Sequence, residues 1–367
     1  MRADMTDQST VVLGGGLPIS RFATRHAFTL IVVLGTAIPF LVPVLPTASG
    51  FSLAAAIEFV ALIHVPMTLY LLFDADIRSM MQRHPGALVG APLAFFMFGV
   101  FLVIVPAAML PKYGNWPLTY GLLLIAIWQN WHFGKQNVGV YALIRQAQKI
   151  GPMSLAERRM IVAGSVLGAL AAYFGAVDLQ AQRGPTVGFP LILATINALT
   201  PVATLAAFGL LAFSAIHVVR NWRRMTPSAA VTFFFSANFF LPFYLTAVSL
   251  PNVLAITVLA HGVQYVAFLM FHSANYRGGG SWMVAVFALC VLVTGDVYYF
   301  NLVVPEHWFG HQFGILLGGH NDAHLSDALA TGILLAHFWF DSVIWRLKNP
   351  ESRAWVTRRY SFLFSQK

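Results

Sequence analysis

Apolar residues along this chain fall in long unbroken runs, not in the period-2 or period-3.6 alternation of a half-buried element. The runs lie at about 27–48, 51–73, 87–110, 117–139, 157–177, 190–219, 229–249, 252–272, 281–304 and 328–346. A hydrocarbon layer about 30 Å thick takes roughly 20 apolar residues of helix. Lipid gives open backbone groups no partner, so only helices suit runs of this length. The pattern predicts an all-α, polytopic membrane protein with about ten transmembrane helices.

The polar residues between the runs alternate in charge. Arg21 and Arg25 precede the first run, and Arg78 and Arg83 follow the second. Lys135, Arg145, Lys149, Arg158 and Arg159 surround the fourth-to-fifth connection. Arg220, Arg223 and Arg224 follow the sixth run, Arg277 the eighth, and Arg346, Lys348, Arg353, Arg358 and Arg359 the tenth. The other connections hold only Lys112 and Arg183. Basic residues favour the cytoplasmic side, so both termini are expected there. Residues 1–26 read as a cytoplasmic N-terminal tail, 27–346 as one transmembrane domain and 347–367 as a cytoplasmic C-terminal tail. The first run exceeds a signal-peptide core and lacks a small-x-small cleavage site. It is read as the first crossing of an integral protein of a bacterial inner membrane.

Local signals agree with this layout. Ser154-Leu155-Ala156-Glu157 is a capping box that starts a helix near Ser154. Pro39, Pro43, Pro66, Pro106, Pro201 and Pro242 fall inside the runs as expected kinks. Trp116, Tyr120, Trp282, Tyr298 and Tyr299 sit near run ends, as in an interfacial belt.

Composition narrows the function classes. The chain is 58% hydrophobic and 10% charged, against about 25% charged in a soluble domain. Its net charge of +9 is spread through short loops. A nucleic-acid surface would need basic residues clustered on a folded soluble face, so nucleic acid is not an expected partner. The single cysteine, Cys290, rules out an intrachain disulfide framework, a thiolate-held iron–sulfur cluster and a zinc knuckle. No GxGxxG fingerprint opens a helix, so any reductant must come from an electron-donor protein.

The chemistry lies in the histidines. His64, His132, His217, His261 and His337 all fall inside apolar runs, on even-numbered helices that run in the same direction. Ionisable groups at membrane depth are costly and usually face the bundle interior. At about 1.5 Å per residue, His64, His132, His261 and His337 come out at similar depth. His217 and His272 come out near the wet cytoplasmic edge, where hydrogen-bonding histidines need no special role. His337 and Asp341 are i,i+4 and share a helix face, as do His132 and Gln136. Gln264 and Tyr265 lie one turn beyond His261. Asp341, Gln136, Tyr265 and the deep acid Glu58 are therefore candidate catalytic groups. With Asp296, Glu58 also offers a proton path or polar entrance. Imidazoles and a carboxylate without thiolates suit iron, zinc or copper. A lipid-embedded site favours non-haem iron acting with dioxygen on a long apolar small molecule. Haem held by two facing histidines is the competing cofactor. A second candidate cluster lies on the outer side, in residues 305–327: His307 with His311, and His320 with His324, both spaced HxxxH.

His132-Phe133-Gly134, and His337-Phe338-Trp339-Phe340-Asp341 followed by Ile344-Trp345-Arg346, resemble segments of the bacteriorhodopsin-related-protein/Blh family of membrane carotene dioxygenases. That resemblance implies an all-helical membrane fold, iron held by histidines from several helices, and oxidative cleavage of a carotene. It carries His132 and His337 over as iron ligands. His64-Val65-Pro66 departs from the family's early His-Gly segment. Three readings compete with a metalloenzyme: an acyltransferase with His132 as general base, a proton-coupled transporter using Glu58 and Asp296, and a haem-binding electron-transfer subunit.

Overall fold

A computed structural model describes residues 10–13, 17–40, 64–113, 116–182, 189–245, 250–274, 284–288 and 322–364. The described chain is all-helical except for one N-terminal hairpin. β1 (Thr10–Leu13) and β2 (Leu17–Ser20) pair antiparallel, within the segment read as a tail.

The helices follow the apolar runs. They are α1 (Arg21–Ala37), α2 (His64–Met67), α3 (Ala75–Arg83), α4 (Ala91–Tyr113), α5 (Trp116–Ala147), α6 (Leu155–Gln182), α7 (Phe189–Asn221), α8 (Pro227–Ala237), α9 (Pro242–Leu245), α10 (Leu250–Ala274), α11 (Asp322–Ile344), α12 (Pro350–Arg359) and α13 (Ser361–Phe364). A 3₁₀ turn, Thr68–Phe73, continues α2. Among the described residues, Gly86–Val105 and Asn197–Arg224 are long and apolar enough to cross a membrane. α5 has 32 residues, about 48 Å at 1.5 Å per residue. It therefore outruns a hydrocarbon layer of about 30 Å, and its last turns carry Arg145 beyond the apolar run.

The start of α6 is closed as the sequence predicts. Ser154 N–H donates to Glu157 Oε2 at 2.6 Å, and Glu157 N–H donates to Ser154 Oγ at 3.2 Å. Glu157 Oε1 also accepts from Tyr141 and Arg145, both at 2.6 Å. The cap thereby ties α6 to α5. The seventh apolar run, expected as one helix, is broken at Asn238–Leu241 between α8 and α9. Pro242 cannot donate into a helix and disfavours helical backbone at Leu241. Asn238 Nδ2 donates to Ser214 Oγ at 2.7 Å and Phe234 O at 2.8 Å, fixing the break against α7.

α4 and α11 pack against each other extensively. A Cβ built on Gly99 would lie 2.7 Å from Gly332 Cα, and one on Gly332 2.7 Å from Phe96 O. Small residues permit such backbone contact, which membrane helices use in place of a hydrophobic driving force. This crossing sets α11, and with it His337 and Asp341.

Residues 350–364 are not a free tail. Trp355, Tyr360, Phe362 and Leu363 are buried in the main core with Phe28 of α1 and Phe268 of α10. The link is Asp74, which is 1% exposed. Its carboxylate accepts from His272 Nε2 (2.8 Å), Trp355 Nε1 (2.9 Å) and both Arg359 Nε and Nη2 (2.8 Å each). Its Oδ1 also caps α3 by accepting from Asp76 N–H at 2.8 Å. His272 is therefore fully buried against the Asp74 carboxylate.

Burial pushes the Asp74 carboxyl up, but hydrogen bonds from His272, Arg359, Trp355 and the Asp76 amide outweigh it and hold it well below the usual carboxylate range. A depressed folded value stabilises the fold above the unfolded value of about 3.9 and loses that contribution as pH falls. Unfolding in detergent should therefore shift to lower temperature as pH drops below about 5. Asp74→Asn should flatten that dependence and cost about 1–3 kcal/mol at neutral pH, since His272, Trp355 and Arg359 lose a charged acceptor while Arg359 keeps Asp76. At the tight crossing, Gly332→Ala should cost about 1–3 kcal/mol through overpacking. Gly139→Ala on α5, where nothing lies within 4 Å of the added atom, should gain about 0.5–1 kcal/mol. Thermal denaturation of the two variants side by side checks this contrast.

Candidate metal centre

Four histidines from four elements lie together: His64 opens α2, His132 is on α5, His261 on α10 and His337 on α11. Ring centroids are 4.5 Å apart for His64–His261, 5.2 Å for His64–His337, 5.2 Å for His132–His261 and 5.9 Å for His132–His337. Donor atoms of His64, His261 and His337 all lie within 4.8 Å of one another, and so do those of His132, His337 and Asp341. Ligands on opposite sides of one ion at about 2.1 Å would be about 4.2 Å apart. The two triads share His337. His64, His261 and His337 are buried, while His132 keeps partial exposure.

Each histidine has an oxygen-bearing side chain four residues on: Thr68, Gln136, Tyr265 and Asp341. This spacing puts the oxygen one helical turn beyond each ring on the same face. Three of the four form a chain. Thr68 Oγ1 lies 2.6 Å from His337 Nδ1 and 3.0 Å from Tyr265 Oη, and Tyr265 donates to Asp341 Oδ1 at 2.9 Å. Each hydroxyl has one proton to give, and a carboxylate only accepts. With Asp341 ionised, the Tyr265 proton goes to Asp341, so Thr68 donates to Tyr265, and His337 donates its Nδ1–H to Thr68. His337 is thereby fixed with a bare Nε2, the form that ligates metal. That Nε2 faces Asp341 Oδ2 at 3.6 Å. In that protonation state two Lewis bases face each other with no proton between them.

Further ring nitrogens are in the same condition. His132 Nε2, His261 Nδ1 and Nε2, and His337 Nε2 are buried and make no hydrogen bond among the described residues. Buried polar side-chain atoms are satisfied in the large majority of cases, and each orphan costs about 1–3 kcal/mol. One cation between the rings satisfies several at once.

Gln136 turns away from the proton chain. Its Nε2 donates to Gln264 Oε1 at 3.4 Å, while Gln264 Nε2 donates to Thr36 Oγ1 at 2.9 Å and Asn137 Oδ1 at 3.2 Å. This amide cluster joins α1, α5 and α10 beside the site. Aromatic rings wall the histidines: Phe338 stacks on His132 at 4.4 Å, and Phe133 lies against His261 at 4.3 Å. Phe239, Phe240, Val258 and Leu335 are buried in the same apolar cluster, with Trp128 and Phe243 packed on it.

His217 stands apart from the centre. Its Nε2 is 3.7 Å from Glu157 Oε1 and its ring packs on Phe233. Glu58, Asp296, His307, His311 and His320 lie outside the described residues. Of His324 only the backbone, in the first turn of α11, is described. Thr68 went unnoticed in the sequence, although its place four residues after His64 is the signal the other pairs share. Asp74 also escaped notice, because the residues that bind it are remote in sequence.

Thr68→Val keeps the side-chain shape and removes the acceptor for His337 Nδ1–H. Divalent-metal affinity should fall about 10–100-fold, with Thr68→Ser restoring it. Cobalt(II) titration followed by visible absorption reads both variants.

The chain matches no protein-family model, no curated protein and no solved structure.

Proposed function

We propose that the chain crosses a bacterial inner membrane ten times and is a metal-dependent oxidoreductase. In this reading His64, His132, His261 and His337 hold non-haem iron, with Asp341 as a further ligand. The substrate is a long apolar molecule, isoprenoid-like or acyl, that enters laterally from the bilayer.

One observation carries the metal reading: His337 Nε2, buried without a hydrogen bond, faces the Asp341 carboxyl at 3.6 Å, beside other imidazole nitrogens in the same condition. Such a cluster is poorly stable without a cation. The edge-to-face approach of His64 and His261 at 4.5 Å favours one small ion over a porphyrin, which needs a slot between its axial ligands. An all-nitrogen and carboxylate donor set without thiolate favours iron, zinc or copper. Iron is preferred because the surroundings are aromatic and apolar, whereas zinc hydrolysis needs a water path and a general base. The membrane reading is supported by the two apolar helices and by α7, whose Leu205, Phe213 and Val219 are about 70% exposed.

Ferrous iron at this site would supply dioxygen activation. The chain's own groups do the rest. The Thr68–Tyr265–Asp341 chain holds His337 in its ligating tautomer. Phe133 and Phe338 cover two of the rings and keep water from them. His132, the one of the four histidines whose residue is not fully buried, marks the side nearest to substrate entry, with Trp128 and Phe243 as nearby apolar contacts. Dioxygenation of an alkene places both oxygen atoms in product and needs no reductant. Hydroxylation would draw two electrons from a partner protein. The resemblance to carotene dioxygenases favours the first.

Protein purified gently in detergent should carry iron. Chelation should abolish turnover of an apolar polyene, and ferrous iron, not zinc, should restore it. His261→Ala should lose metal and lower activity by more than about a hundredfold, beyond the 10–100-fold typical of an outer-shell partner. Full activity in metal-free protein would overturn this function.

A further inference from the structure

Away from the histidine centre, a groove of about 450 Å³ opens between the start of α6 and the end of α7. Met160, Ala163, Leu210, Phe213 and Ile216 form its apolar walls, and Arg159, Arg220 and His217 line its polar end. The nearby carboxylate is already engaged: Glu157 accepts from Arg145, Tyr141 and Ser154. His217 Nε2 also approaches Glu157 Oε1 at 3.7 Å. Arg159 and Arg220 are exposed and form no ion pair among the described residues. The groove thus offers two uncompensated guanidinium groups at one end and hydrocarbon contact at the other. α7 here is one of the two helices long enough to cross a membrane, and Phe213 beside the groove is 69% exposed.

We infer that this groove binds an anionic phospholipid of the cytoplasmic leaflet. Its phosphate lies between Arg159 and Arg220, and its upper acyl segments lie against Phe213, Ile216 and Met160. Arginine forks match phosphate oxygens geometrically, and basic pockets between membrane helices on the cytoplasmic side are suited to acidic headgroups. The inference rests on the membrane-spanning reading but not on the metal.

Native mass spectrometry of the detergent-solubilised full chain tests it, with phosphatidylglycerol and phosphatidylcholine as probes. Phosphatidylglycerol should bind in preference, and the pair Arg159→Gln with Arg220→Gln should weaken it on the order of tenfold. Arg223→Gln with Arg224→Gln, which lie outside the groove, should leave the preference largely intact. Equal binding of the two lipids to the unaltered chain would overturn the inference. So would equal losses from both arginine pairs, or full competition by glycerol phosphate lacking acyl chains. A chain that stays soluble and folded without detergent would instead remove the membrane reading beneath it. Metal content, measured on the same samples, should be unchanged by either pair.

Discussion

Buried ring nitrogens without hydrogen-bond partners, gathered beside a carboxyl group, are the constraint around which the described bundle is arranged. Four imidazoles and a carboxylate reach one small volume from α2, α5, α10 and α11. In hydrocarbon surroundings, groups like these must be paired or coordinate a cation. The chain spends one layer of side chains on the rings and the next layer on holding them. Thr68, Tyr265 and Asp341 settle which nitrogen of His337 carries its proton, and the amides of Gln136, Gln264 and Asn137 brace the neighbouring helices. The rest of the packing serves to keep these elements in register: the Gly99–Gly332 crossing under α11, and the Asp74 network that ties α3, α10 and α12 together.

Much of the helical plan was legible because unbroken apolar runs of about 20 residues are long enough for helices and too long for strands. The helices at 91–113, 116–147, 155–182, 189–221, 250–274 and 322–344 each cover an apolar run. The capping box placed a helix start near Ser154, and the helix begins at Leu155. The break at Asn238–Leu241 was less legible. Pro242 was read as a kink, whereas the Asn238 amide bonds to Ser214 and Phe234 and ends the helix instead.

For the site, sequence supplies depth but not rotation. Counting residues along parallel runs puts His64, His132, His261 and His337 at one level, and the i,i+4 rule puts Asp341 beneath His337. Nothing in one sequence says that four helices turn those faces towards each other. Asp74 shows the same limit more sharply. Its partners, Trp355 and Arg359, are 281 and 285 residues away. In the sequence those two look like part of a basic tail, because positive charge after a last run is also what topology alone requires. Burial of Trp355, Tyr360 and Phe362 separates the two readings, and only coordinates show burial.

The hydrogen bond between Thr68 and His337 joins positions 269 residues apart. A ribosome delivers the first of these long before the second. Without the last long helix both triads lack His337, and one also lacks Asp341. On the proposed metal reading, an ion would load only after α11 has joined the bundle, and a product truncated before α11 would not retain it.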